Sequence, residues 1–361
     1  MAGNKGEHMR NVRVALWGLG AMGRGIAELL IARKGVEIVG VCDINPKYQG
    51  KNLYHLLGTR QQDRPDAFIS KNIEDILGNV PVDCCVIATD SFIQDVFPKI
   101  KEVVEHGINV LTIAEEMCYP WAREEALSGE MDLLAKKHGV SILGTGINPG
   151  LMMDLLAVCL SGAMTQVSHV RCERVNSLSP FGETVMREQG IGMTPEAFDQ
   201  GVADGTLAGH VGFYQSAAMI AKALGLEYDR LEKDMRPIIT DAERRSPHGF
   251  AAPGHVAGVH MSARAMAGDA EKISLVHPQQ IEPQVGGVET GDYITLSGTP
   301  PIDMAVKPEV NGGLGTIAMA CNMLPFVVAA RPGLLSMLDL PVPRCVMGDY
   351  RRIAFGEKSD G

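Results

Sequence analysis

Gly18-Leu19-Gly20-Ala21-Met22-Gly23 follows the apolar run Val12-Arg13-Val14-Ala15-Leu16-Trp17 and opens into Arg24 to Lys34, where Ile26, Leu29 and Leu30 recur at helical spacing. Strand, glycine turn and helix in that order make a dinucleotide fingerprint. Gly18 allows the tight turn, Gly20 lets a pyrophosphate approach the backbone, and Gly23 lets the helix pack close to the strand. Ala21 and Met22 complete the turn, and the unpaired N–H groups of the helix start favour a diphosphate. A second apolar run, Val36 to Cys42, ends in Asp43, about 20 residues past the last glycine, where the fold places the carboxylate that binds an adenosine ribose. The implied cofactor is NAD and/or NADP. Asp43 favours NAD by repelling a 2′-phosphate, whereas Lys47 or Arg24 offers that phosphate a cation.

The rest of the composition bounds the class. At 361 residues, two domains are expected. A formal net charge of -10 argues against nucleic acid as a partner, because phosphate binding needs a basic face. No apolar run reads as long enough to span a membrane. The polar first ten residues give no signal peptide. The eight cysteines lack C-x-x-C spacing and sit mostly in apolar runs, as reduced core residues of a cytoplasmic protein would. His255 and His260 have no partner at metal-ligand spacing, so no metal is expected.

From Val12 to about Leu143, strand and helix patterns alternate, as in a parallel sheet with crossover helices. The run from Asp83 to Ala88 suits a buried parallel strand, and its end at Ala88 and Thr89 falls where a cofactor lies in a doubly wound sheet. The same Thr89-Asp90-Ser91 also reads as a plain helix cap. The next strand, Asn109 to Ile113, runs into Glu115 and Glu116, two carboxylates at a strand end that offer a general base. Trp121 to Lys137 predicts a helix, and Gly144-Thr145-Gly146-Ile147-Asn148-Pro149-Gly150 a rigid turn before a helix over Leu151 to Leu160. Beyond it, strands at 167–175, 254–263, 272–281 and 292–296, the last three with no helix between them, predict an α+β domain with a mostly antiparallel sheet. A helix over Ile317 to Ala330 and a polar, fraying tail complete the pattern. The expected organisation is an α/β chain with a Rossmann dinucleotide-binding domain over residues 1–150. A substrate and dimerisation domain follows over 151–312, and a C-terminal helix and tail over 313–361 packs back between the domains.

The glycine turn, Ala114-Glu115-Glu116-Met117 with Tyr119-Pro120-Trp121, Thr145 to Gly150, and Gly315-Thr316 with Leu340-Pro341-Val342-Pro343-Arg344 together resemble one family. It is that of the 2,4-diaminopentanoate dehydrogenases and related native amine dehydrogenases, within the wider group shaped like dihydrodipicolinate reductase. The resemblance spans nearly the whole chain. It implies NAD(P)-dependent oxidative deamination of 2,4-diaminopentanoate to 2-amino-4-oxopentanoate in ornithine breakdown, reversible as reductive amination, by a homodimer. It places the catalytic carboxylate at Glu115 or Glu116. It places substrate contacts at Asn148, Arg174, Asn176, His277 and Thr316, with Asn148 also beside the cofactor. Arg174 then suits a substrate carboxylate, because its fork binds both oxygens; a surface position is the alternative for Arg174 and Asn176, and a satisfied core histidine for His277.

Two rival readings exist. A reductase of cyclic imines would want a basic cluster for two carboxylates, whereas this chain puts glutamates at the strand end. A non-catalytic NAD-binding sensor explains the glycine turn but leaves Glu115 and Glu116 without a task.

Overall fold

Apolar strands buried on both faces require helices on each side, and the first part of the chain supplies them alternately. The computed structural model describes residues 9–59, 65–207 and 209–356, so part of the polar leading segment lies outside it. The chain forms two units, Met1–Ile147 with Gly313–Gly361, and Asn148–Gly312. In the first, strands and helices run β1 (Val12–Trp17), α1 (Ala21–Ile31), β2 (Val36–Cys42), α2 (Leu53–Leu57), β3 (Ile69–Ser70), α3 (Glu74–Leu77), β4 (Cys84–Ile87), α4 (Ile93–Glu105), β5 (Asn109–Thr112), α5 (Glu125–His138) and β6 (Ser141–Gly144). The sheet is parallel throughout, with β1 between β2 and β4. Chain order therefore reverses between β1 and β4, the point at which doubly wound sheets bind ligands.

Local sequence explains these elements. All four residues of β4 are buried, and α4 turns Ile93, Val96, Ile100, Val103 and Val104 inward on one stripe. Helix α5 ends at Gly139 in the left-handed region, with Lys136, Lys137 and His138 on its last turn. It starts at Glu125 rather than Trp121, because Pro120–Ala122 forms a separate 3-10 turn.

The second unit contains α6 (Leu155–Ser161), β7 (Gln166–Ser177), α7 (Glu183–Glu188), α8 (Pro195–Ala203), α9 (Phe213–Leu224), β8 (Arg230–Ile239), the short hairpin β9 (Arg244–Arg245) and β10 (Phe250–Ala251), β11 (Val256–Ala267), β12 (Ala270–Gln280), β13 (Gly291–Thr299) and β14 (Ile302–Val306). Thr194 caps α8 by accepting from Ala197 N, with Pro195 in the first turn. Helix α6 begins four residues later than expected, where buried Asp154 accepts from Leu155 N.

Its six-stranded sheet runs β14-β13-β7-β12-β11-β8. This corrects the expected mostly antiparallel sheet: the sheet is mixed, because its central pair, β7 and β12, is parallel. Parallel neighbours need a crossover, and the long stretch with α7, α8, α9, β8 and β11 supplies it. Strand β8 escapes a period-two reading because it is an edge strand of mostly charged or half-exposed residues.

The last segment returns to the first unit. Helix α10 (Gly312–Ala329) sets Cys321 against the Ile26 carbonyl and accepts the Ser141 hydroxyl at Val327 O. It corrects the reading that no apolar stretch reaches membrane-span length: with 18 residues and mean hydropathy 1.6 it does, and more than half of it is buried. The tail does not fray at once either. Gly333–Leu335 adds β15 beside β6, and α11 (Tyr350–Ala354) follows, capped by Asp349. Of the eight cysteines, none is paired; Cys159 and Cys345 are exposed and the other six are buried.

Candidate active site

The glycine turn lies at the end of β1. Gly18 holds φ at +100°, a region that side chains with a Cβ rarely adopt, and a Cβ there would sit 2.7 Å from Ala88 O and 2.8 Å from Thr89 Cγ2. A Cβ on Gly23 would fall 2.0 Å from Gly18 O, so the helix approaches the turn only through glycine. By contrast a Cβ on Gly20 would meet open space. That is the side from which a diphosphate can reach the first N–H groups of α1, the residues Ala21, Met22 and Gly23. The cradle therefore fits a dinucleotide.

Asp43 at the end of β2 is tied into the same turn. One carboxylate oxygen accepts from Leu19 N at 2.6 Å and the other from Asn45 N at 2.8 Å. On the neighbouring strand, Ala88 N bonds to Trp17 O, and the Thr89 hydroxyl bonds to Asp90, which also pairs with Lys99 at 2.6 Å.

Glu115 and Glu116 open a 3-10 turn directly after β5, both half-buried. A Cβ on Gly144 would lie 2.1 Å from Met117 O, so this turn rests directly against the end of β6. Glu116 Oε2 accepts from Ile93 N at 3.0 Å, closing the start of α4, while Glu116 N donates to Ser91 O. Thr316, on α10 of the same unit, accepts from Ile147 N at 3.4 Å.

The remaining sequence-selected residues gather in the second unit, at one end of one sheet face. Along β7 that face reads Val170, Cys172, Arg174, Asn176. Along β12 it reads Ile273, Leu275, His277, Gln279, and along β13 Leu296, Ile294, Asp292. In-register pairs change from apolar to polar at the same level, with Arg174 opposite Asp292 and Asn176 opposite Gln279. All of these polar residues are buried.

A relay runs through this polar end. Asn176 Nδ2 donates to Ser177 O, so its Oδ1 accepts, at 2.9 Å, from His277 Nε2. That leaves His277 Nδ1 to accept from Asn148 Nδ2 at 3.0 Å. Both ring nitrogens are engaged. Burial, with His210, Arg174 and His260 adding repulsion, holds His277 well below the ordinary histidine range, so the ring is neutral. Arg174 is 2% exposed rather than at the surface. One arm of its fork pairs with Asp292 and the other donates to Val310 O. Asp292 in turn accepts from Val310 N at 2.8 Å.

His210 completes this group, and no motif points to it. Its ring stacks on His277 with centroids 4.7 Å apart, and its backbone N contacts Met261 Sδ. Burial, with Arg174 adding repulsion, lowers it to about 4. It lies in an irregular stretch between α8 and α9, which is why periodicity passes over it. Gln279 is two residues beyond His277 on the same strand face, a position alternation does reveal once β12 is in place.

A family model described as the 2,4-diaminopentanoate dehydrogenase C-terminal domain matches residues 151–355. The chain is also 51% identical over 344 residues to a 2,4-diaminopentanoate dehydrogenase from Acetoanaerobium sticklandii, covering 95% of this chain and 97% of that one. The chain belongs to the 2,4-diaminopentanoate dehydrogenase family. An amine dehydrogenase from Streptomyces virginiae is 22% identical over 361 residues, covering 92% of this chain and 96% of the relative. The solved structure of an amine dehydrogenase from Mycobacterium smegmatis superposes with a TM-score of 0.82 at 27% identity, covering 94% of this chain and 99% of that one. Membership of the 2,4-diaminopentanoate dehydrogenase family makes this protein an oxidoreductase, and the family model covers every residue of the relay except Asn148.

Proposed function

We propose that this protein is an NAD(P)-dependent amine dehydrogenase that deaminates 2,4-diaminopentanoate at C4 to 2-amino-4-oxopentanoate, releasing ammonia, as part of ornithine breakdown. The reaction runs in reverse as reductive amination of the ketone. The observation that carries the reading is the carboxylate pair at the end of β5, in a sheet whose β1 end forms a dinucleotide cradle, in a chain half identical to a named 2,4-diaminopentanoate dehydrogenase.

A nicotinamide cofactor, held through Gly18, Gly20, Ala21, Met22, Gly23, Asp43, Ala88 and Thr89, supplies the hydride acceptor when bound. The chain's own work is proton handling and placement. An ammonium has no lone pair to assist hydride departure, so a base must first take its proton. Glu115 or Glu116 is that base, and Glu116 Oε2 also closes the start of α4. Once that proton has passed to solvent, the same carboxylate takes a proton from the water that adds to the oxidised carbon and returns it to the nitrogen, which leaves as ammonia as the carboxylate takes the hydroxyl proton. Help of this kind is typically worth about 10² to 10⁴ in rate. Asn148, Asn176 and Thr316 hold the substrate's second amino group or the cofactor amide. With both arms of its fork held, Arg174 acts on the substrate carboxylate through its charge, and His277 acts by holding Asn148 and Asn176 in place. Asp43 makes NAD the preferred cofactor, and the working form is a homodimer in the cytoplasm.

The deciding experiment follows NADH formation from 2,4-diaminopentanoate, beside lysine, ornithine and alanine, in the wild type, Glu115→Gln and Glu116→Gln. One of the two substitutions should lower kcat by about 10² or more with NADH binding intact, and that residue is the base. Near wild-type kcat in both variants takes the base away from this pair, and no turnover of any amine by the wild type defeats the proposal. Repeating the assay with NADP at subsaturating concentration tests Asp43, since preference for NADP would show its carboxylate turned away from the ribose.

A further inference from the structure

Folded proteins rarely leave buried polar side-chain atoms unpaired, and each exception calls for a cause. The polar end of the second unit holds two. His210 Nε2 and Gln279 Nε2 are both buried without a hydrogen-bond partner, although their neighbours His277 and Asn176 are bonded to each other. Gln279 sits directly across the strand pair from Asn176 and two residues beyond His277, while the His210 ring lies flat against His277. The relay therefore uses up His277 and leaves donors on either side of it unspent.

We infer that His210 and Gln279 are substrate-contacting residues that donate hydrogen bonds to the carboxylate of the amino acid end of the substrate, and so set the preference for diamino acids over simple amines. This rests on the deaminase reading above and extends it to two residues that no motif or resemblance marks. The chemistry fits an anion. The Nε2 of Gln279 can only donate, and the neutral ring of His210 can donate from Nε2. Arg174 stands close enough to repel protons from both His210 and His277, although its own fork is held by Asp292 and Val310. A carboxylate placed against these donors would pair groups that otherwise stay buried and unsatisfied, which is a source of affinity that an amine lacking the carboxylate cannot use.

The test uses the full chain with saturating NAD and compares KM and kcat for 2,4-diaminopentanoate in His210→Phe, which keeps the ring stack, and Gln279→Met, which keeps the volume. Thermal unfolding checks folding. Each variant should raise KM tenfold to a hundredfold while changing kcat by less than about threefold, as expected when hydrogen bonds to a charged group are lost. An unchanged KM in either, or a fall in kcat at constant KM, overturns the inference for that residue. If either variant fails to fold, His210→Asn and Gln279→Asn give the same reading with the polarity kept and the reach shortened. A wild type that turns over no amine at all would instead strike the deaminase reading itself.

Discussion

The glycine turn of the first unit and the polar sheet end of the second are both tightly constrained constellations, built by opposite means. The first is backbone. Its geometry comes from residues within a few positions of one another, and its requirements are absences: no Cβ at 18 because of φ and the nearness of Ala88, none at 23 because of Gly18 O. The second is side chain. Asn148, Arg174, His210, His277, Gln279 and Asp292 come from five separate segments and meet because strand register and one irregular stretch bring them together. A site made of backbone tolerates almost no change at its glycines but asks little of its surroundings. A site made of side chains depends on each partner satisfying the next, so removing one member strands another.

That contrast can be broken most directly at the buried ion pair. Arg174→Met leaves Asp292 charged and buried without its guanidinium, and should cost about 3–5 kcal/mol in chemical denaturation. The double variant Arg174→Met with Asp292→Leu should recover a large part of the loss. If the single variant is as stable as the wild type, the pair is not the clasp that holds Val310 in place.

A smaller loss is expected at the glycine turn. Gly18→Ala forces a side chain into φ +100° and against Ala88 O, which should cost on the order of 1–3 kcal/mol. It should also weaken NADH binding, read by NADH fluorescence, by tenfold or more. Retained binding would show that the turn can relax, and would erase the difference between the two kinds of site.

A third effect is a pH dependence carried by two histidines of the second unit. His210 is pushed from 6.5 down to about 4 in the folded chain, and His277 is lowered as well. A histidine lowered by folding binds protons more readily in the unfolded chain, so stability falls as pH drops below about 6.5 and the loss is complete below about 4. Each such group contributes at most about 1.4 kcal/mol per pH unit. Thermal midpoints measured between pH 7.5 and 4.5 should therefore fall less steeply in His210→Phe than in the wild type. Equal slopes would mean that the His210 ring is reached by water and titrates normally.

The amino-acid sequence by itself determined the glycine turn of the first unit and its alternation of strands and helices. A strand, a glycine turn, a helix and an acidic strand end are local patterns, and the alternation of apolar strands with amphipathic helices leaves few topologies besides a parallel doubly wound sheet. It also marked Glu115 and Glu116, Asn148, Arg174, Asn176, His277 and Thr316 through the family resemblance. Tertiary structure alone decided what those residues do to one another. It spent a Glu116 oxygen on α4 and both arms of Arg174 on Asp292 and Val310. It made β7 and β12 parallel neighbours, added β15 to the first sheet from far along the chain, and brought His210 onto His277. The physical reason is range. Turn chemistry and helical periodicity act over a few residues and leave a mark in the sequence, whereas strand partners and side-chain pairs are chosen by register and burial across tens of residues to well over a hundred, where no local pattern records the choice.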